Sequence, residues 1–234
     1  MLERLVSILY PNVCPICGKT LKIKELLCKS CDKQLEYIKE PICKKCGKQL
    51  EIDEQEYCGD CKKYMHVYDS GLGIFAYTDD IKKCIYDFKY NDMKIYAKFF
   101  GAKMAERSVD YIKHWDADVI IPVPVSKEKY VKRGYNQAEL IAKELSKQCG
   151  VPMDNKVLYR KKNTKPQKEM KREARKKNLE KAFIISRNVV KYKKVILVDD
   201  IYTTGSTIDE CALALKEAGV SKVYFLSLSI GAGV

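Results

Sequence analysis

Residues 193–219 read KKVILVDDIYTTGSTIDECALALKEAG. Four apolar, β-favouring residues, Val195 to Val198, run into two adjacent carboxylates, Asp199 and Asp200. A loop of hydroxyls and glycine comes next, Thr203-Thr204-Gly205-Ser206-Thr207. Past the loop, Ile208, Cys211, Ala212, Leu215 and Ala218 recur at helical spacing, and Gly219 stands where a helix stop belongs. The stretch is a unit of strand, loop and helix. An apolar strand of this kind is buried on both faces, so the acids fall at its carboxyl end, where open α/β sheets bind ligands. The loop offers backbone N–H groups at a helix N-terminus, which suits a phosphate. Carboxylates accept hydrogen bonds from sugar hydroxyls or bind Mg²⁺. The simpler alternative is a helix cap on Ser206 or Thr207 beside a solvated strand end. A cap needs one hydroxyl, however, and not two acids, four hydroxyls and a glycine together.

At these residues the chain resembles the phosphoribosyl pyrophosphate (PRPP) motif of type I phosphoribosyltransferases, with VILVDDIYTTGST matching throughout. The resemblance implies that Asp199 and Asp200 contact the ribose hydroxyls. It implies also that Thr203, Thr204, Gly205, Ser206 and Thr207 wrap the 5′-phosphate.

The chain has 234 residues, 46% of them hydrophobic, enough for one medium domain and a small appendage. No window has the length of a membrane span, and Glu3 and Arg4 break the short apolar run at the N-terminus, so a cytoplasmic protein is expected. In residues 2–9, Leu2, Leu5, Val6, Ile8 and Leu9 share one side of a short helix that packs on the adjoining domain or lies at a membrane surface. The net charge of +13 is concentrated: residues 126–194 hold 22 Lys and Arg against 7 Asp and Glu. Pyrophosphate, a nucleotide or a nucleic-acid backbone would answer that charge, although solvated lysines alone would also produce it.

Eight cysteines form four CxxC pairs: Cys14/Cys17, Cys28/Cys31, Cys43/Cys46 and Cys58/Cys61. CPICGKTL and CKKCGKQL mark an internal duplication. Two such pairs complete the tetrahedral S₄ shell of structural Zn²⁺, and two ions are expected. Consecutive pairing is the simpler arrangement, with crossed pairing open. A disulfide framework would require export, and iron–sulfur ligation uses other spacings. A closed Cys₄ shell leaves no open position, so the metal is structural. The cysteine-rich segment has few large apolar groups with which to fold without it.

The pattern ends near Tyr64, which sets expected domains at 1–63 and 64–234. Beyond it a strand is expected over 71–77, a helix over 80–89 with Ile81, Ile85 and Phe88 inward, and a helix over 95–113. Cys84, Cys149 and Cys211 are isolated in apolar surroundings and read as buried filler. With two histidines and no Ser–His–acid arrangement in view, hydrolase-type nucleophilic catalysis is not expected. Val119-Ile120-Ile121 reads as another buried strand, followed by SKEKYVKRGYNQ and a helix through Leu140, Ile141 and Leu145. Asn136 and Glu139 have capping-box spacing. Arg133 stands in the loop before that cap, where its guanidinium reaches the same crevice for bidentate oxyanion contact. Residues 160–181 hold 11 basic and 3 acidic residues around Pro166, a mobile loop or exposed helix suited to close over a diphosphate.

The CxxCG pairs, IPVPVSKEKYVKRGYNQAELIAKEL, TKPQ with Arg175, Asn178 and Ala182-Phe183, and VILVDDIYTTGST together resemble the competence protein F (ComF) family, in the same order over nearly the whole chain. The resemblance implies a double zinc ribbon followed by a type I phosphoribosyltransferase-like three-layer α/β fold with a mostly parallel sheet. It implies an activity linked to bacterial DNA uptake and natural transformation, with PRPP and Mg²⁺ as ligands, Arg133 near the pyrophosphate, Arg175 in the flexible loop, and Lys89 at the site. Lys168-Glu169 depart from the smaller residues that relatives carry there. Two other functions remain open. One is single-stranded DNA binding, through Tyr130, Tyr135, Tyr159 and Tyr192 among the lysines. The other is an adaptor whose ribbons dock on a competence helicase or recombination protein. A nucleotide-salvage phosphoribosyltransferase is a further alternative.

Overall fold

The computed structural model describes residues 12–161, 182–186 and 191–231. The expected helix over 2–9, most of the basic stretch over 160–181, and Arg175, Lys168 and Glu169 lie outside the described residues.

The strand, loop and helix unit forms as expected, with one difference in length. Strand β5 spans Lys194–Tyr202, and helix α7 spans Ser206–Glu217. The strand therefore runs past the apolar residues and takes both acids into the ladder. The reason is its neighbour, β6 (Lys222–Ile230), which is equally long and keeps pairing, Asp199 with Ser227 and Tyr202 with Ile230. Backbone groups at a sheet interior stay paired wherever a partner is present.

The sheet has the order β1, β6, β5, β2, all parallel, with β1 at Ser70–Phe75 and β2 at Val119–Pro122. Pairing of β2 with β5 ends at Pro122 with Val198, so from Asp199 onward β5 keeps a neighbour on one side only. That divergence opens a crevice directly at the acids. Val195 and Leu197 enter the core cluster that also holds Ile208, Cys211 and Leu215 of α7. Ile196 and Val198 enter the opposite cluster, which holds side chains of α3 (Asp79–Tyr90), α4 (Tyr96–Trp115) and α6 (Gln137–Cys149). The chain after β2 and the chain after β5 thus leave toward opposite faces, the switch point at which open α/β sheets take ligands. Three layers result, as the fold class requires. An antiparallel pair, β3 (Leu158–Arg160) with β4 (Phe183–Ile185), stands beside the main sheet.

The other expected elements appear with shifted ends. Thr78 caps α3 by accepting from Ile81 N–H at 3.4 Å, which starts the helix one residue early. Asn136 caps α6 by accepting from Ala138 N–H at 3.1 Å. Glu139 does not complete the box; its carboxylate accepts from Asn155 at 2.7 Å. A further difference concerns Arg133. It is not in a loop but ends a short helix, α5 (Lys127–Arg133), capped by Ser126 and closed by Gly134 at φ 76°. The hydroxyl of Ser126 and the left-handed glycine supply both helix stops locally.

The cysteine-rich segment contributes two short helices, α1 (Lys29–Gln34) and α2 (Gly59–Lys63). Between its two knuckles, Ile38 N–H donates to Ile74 O at 3.0 Å, and Ala76 N–H donates to Glu36 O at 3.0 Å. These bonds cover the free edge of β1, which would otherwise offer unpaired groups to another chain.

Candidate functional site

The crevice beyond Val198 encloses about 250 Å³ and is lined by Asp199, Asp200, Lys89, Lys129, Arg133 and Arg160. Alternation along β5 sends the two acids to opposite faces. Asp200 turns toward α3, where Lys89 Nζ meets its Oδ1 at 2.8 Å. Asp199 lies on the α7 face, and its Oδ1 accepts from the backbone N–H of Asp200 at 2.8 Å. Burial, and then the charge of Asp200, push the Asp199 carboxyl up to about 7. Some solvent contact at Asp199 tempers that shift. Among the described residues, four cations stand around the acids. Lys129 is pushed down by burial and by the neighbouring charges of Arg160, Arg133 and Lys89. Like charges gathered at this cost attract an anion that spreads over them.

Arg133 is held in place from two sides. Its Nη1 donates to Gln137 Oε1 at 2.8 Å and its Nη2 to Tyr90 OH at 3.1 Å, with the guanidinium 4.9 Å from the Tyr90 ring centre. Arg160 leans over Phe183 of β4 at 5.5 Å, so the small antiparallel sheet carries it to the crevice.

Next to the acids, residues 203–207 form a small polar pocket together with Asp199 and Ile208. Gly205, at φ 77°, occupies the cap position of α7, and among the described residues no side chain caps that helix. Ser206 instead begins the helix, and its hydroxyl bonds Thr204 at 2.9 Å. The first-turn N–H groups of a twelve-residue helix thus face the pocket without a side-chain acceptor, which is the arrangement that binds phosphate.

The structure therefore brings together Asp199, Asp200, Lys89, Arg133 and the loop Thr203, Thr204, Gly205, Ser206 and Thr207. Lys129 and Arg160 are functional candidates that sequence reasoning missed. Both lie in quoted basic segments, but spacing does not separate them from the other lysines and arginines there. Of the four tyrosines, Tyr135 is buried and donates to Phe88 O, and Tyr192 donates to Asp154 at 3.0 Å. Tyr130 and Tyr159 remain exposed. Cys84 and Cys211 are fully buried and Cys149 is half-buried, as filler would be.

The eight paired cysteines form two separate sets, Cys14, Cys17, Cys28 and Cys31, and Cys43, Cys46, Cys58 and Cys61. Within each set the sulfurs lie within 4.8 Å of one another. Cys17 to Cys28 and Cys46 to Cys58 are 3.7 Å apart. A tetrahedron with Zn–S of about 2.3 Å has edges of about 3.8 Å, so both sets fit structural Zn²⁺. Pairing is consecutive.

Family models match in two places: a double zinc ribbon domain over residues 5–62 and a phosphoribosyl transferase domain over residues 101–229. Competence protein F of Haemophilus influenzae is 38% identical over 114 residues, 48% of this chain and 50% of the relative. Competence protein ComFC of Bacillus subtilis is 33% identical over 150 residues, 62% and 58% of the two chains. The chain spans about half the length of the curated relatives it matches. Among solved structures, the glutamine PRPP amidotransferase from B. subtilis complexed with ADP and GMP aligns at a TM-score of 0.39 and 21% identity, over 56% of this chain and 26% of that one. No helix among the described residues is long and apolar enough to cross a membrane.

Proposed function

The chain belongs to the phosphoribosyl transferase domain family and, with its double zinc ribbon, to the ComF family, and on that premise we propose that it binds PRPP or another phosphorylated ribose with Mg²⁺ and serves DNA uptake in the cytoplasm. One observation carries the proposal: the uncapped N-terminus of α7 opens one strand-end away from an acid pair ringed by four cations.

The 5′-phosphate sits on the first-turn N–H groups of α7 and on the hydroxyls of Thr203, Thr204, Ser206 and Thr207. Asp199 and Asp200 accept from the ribose hydroxyls, which favours their ionised forms. Lys89, Lys129, Arg133 and Arg160 take the diphosphate; Arg175, which the resemblance puts in a flexible loop, is a further candidate outside the described residues. Mg²⁺, when bound with the ligand, neutralises part of the diphosphate charge. Transfer at the sugar carbon needs no protein nucleophile. The site's work is to hold charge and geometry while the diphosphate leaves.

The test is a thermal shift with PRPP, with and without Mg²⁺, on the wild type and on the Asp199→Ala/Asp200→Ala variant. At ligand about a hundredfold above Kd, stabilisation is about 2.7 kcal/mol. A Mg²⁺-dependent shift confined to the wild type supports the site; no shift in the wild type sinks it. Single-stranded DNA is a second reading, supported by exposed Tyr130 and Tyr159 within the basic region. Its affinity must fall steeply with salt, and salt-independent binding would rule out a phosphate track.

A further inference from the structure

His66 lies between the last zinc ligand, Cys61, and β1, 143 residues from Asp209 in the first turn of α7. Its side chain is fully buried, and Nδ1 meets Asp209 Oδ2 at 2.8 Å. A carboxylate accepts hydrogen bonds, so Nδ1 carries the hydrogen. The other oxygen, Oδ1, accepts from Val67 N–H at 2.8 Å. Both oxygens of Asp209 are therefore committed to the segment 66–67. The imidazole stacks on Tyr68 with ring centres 4.8 Å apart, and Tyr68 OH bonds Tyr202 OH at 2.7 Å. This group forms the floor of the phosphate loop. A methyl group added at Gly205 would lie 2.5 Å from Tyr202 OH and 2.7 Å from His66 Cε1.

Among the described residues, His66 Nε2 is buried without a hydrogen-bond partner. An apolar side chain would fill that space without such an orphan, so packing does not account for a histidine here. The bond to Asp209 does. An acid in the first turn of a helix is drawn toward the N–H groups at its start and repels an anion that approaches them.

We propose that His66 is a positioning residue which holds the Asp209 carboxylate away from the N-terminus of α7 and so keeps the loop free for a phosphate. The inference rests on the phosphate site proposed above. It ties the chain leaving the second zinc set to the ligand loop of the other domain.

The test uses the zinc-replete full chain and ribose 5-phosphate, with binding read by calorimetry. His66→Ala is expected to weaken binding about tenfold or more, because Asp209 is released. Adding Asp209→Asn in that background is expected to recover at least a threefold part of the loss, since the released group then carries no charge. Loss of packing alone would not be rescued this way. With two histidines in the chain, the Cε1–H spectrum of the wild type has two signals. Titration should move that of His66 and leave that of His114 in place, a result independent of whether His66→Ala folds. Unchanged affinity in His66→Ala, no rescue by Asp209→Asn, or a still His66 signal in a wild type that binds would each overturn the proposal. A wild type that releases no heat and shows no shift would overturn the phosphate site, and this inference with it.

Discussion

The two CxxCG knuckles, Cys14 to Gly18 and Cys43 to Gly47, have the same ligands and the same turn. Gly18 N–H donates to Cys14 O at 2.9 Å, and Gly47 N–H donates to Cys43 O at 2.8 Å. Their surroundings differ. Cys14, Leu21 and Cys31 make a small core of their own, and Cys17 is exposed. Cys43, Cys46 and Cys58 sit in the main core beside Tyr68, Tyr202 and Phe225. A duplicated motif has thus become a satellite at one position and part of the sheet's packing at the other. Metal chemistry sets the local turn, while the neighbours set what losing it costs.

Ligand removal is the strongest way to break that contrast. Cys46→Ser is expected to lower the main unfolding transition by more than about 4 kcal/mol, roughly 10 °C or more, because metal and core are lost together. Cys17→Ser should release one zinc and cost the main transition about 1 kcal/mol. Metal content by spectrometry and calorimetric scans decide the matter, and equal costs would show the knuckles to be equivalent.

The glycines give a gentler version. Both are left-handed, at φ 73° and 72°. Among the described residues a methyl group on Gly18 meets nothing within 4 Å, whereas on Gly47 it falls 2.5 Å from Gly71 O and 2.7 Å from Leu72 Cα of β1. Gly18→Ala should cost about 1 to 2 kcal/mol from backbone conformation alone. Gly47→Ala should cost at least about 2 kcal/mol more, since backbone must move. Denaturant midpoints at unchanged slope would measure the gap.

Asp199 sharpens the contrast between faces, because it lies on the sheet face that carries the second knuckle. Burial raises its folded-state pKa from 3.8 to about 7. Below the lower value both states hold the proton and nothing is lost. Between 3.8 and about 7 the unfolded chain gives up the proton while the folded protein keeps it, so the penalty grows across that window and is complete above 7. Asp199→Asn is therefore expected to stabilise the ligand-free protein by roughly 1 to 3 kcal/mol at pH 8 and hardly at all at pH 4. Melting curves across that range would show the divergence, and a uniform gain would count against it.

The smallest effect belongs to one charged tether of the first knuckle, which is also held by Ile16 and Leu27 packing on the main core and by the Cys84 thiol donating to Pro15 O. Lys103 of α4 meets Asp32 at 3.3 Å and Glu106 at 3.1 Å, beside exposed carboxylates. Lys103→Ala should cost less than about 1 kcal/mol, and a larger loss on melting would mean that the first knuckle is more firmly seated than its exposure suggests.

Much of the site was legible before folding. The four CxxC pairs, the acid pair at the end of an apolar strand, and the hydroxyl loop before a helix are contiguous patterns, so covalent spacing places their groups together. The end of β5 was not legible, because Asp199 to Tyr202 stay in the ladder only through the length of β6. Nor was the helix that carries Arg133: Ser126 and Gly134 offer its two stops, but its seven residues bury none of their side chains and so show no apolar period.

By itself the sequence determined the two cysteine sets, the hydroxyl-rich loop before a helix and the layer type, since each depends on residues within one or two turns of one another. Tertiary structure alone decided which of many lysines and arginines face the acids, which knuckle joins the core, and that His66 reaches Asp209. Those outcomes depend on burial and on charge separations of a few ångströms between residues far apart in the chain. Packing creates these distances, and neither composition nor spacing encodes them singly.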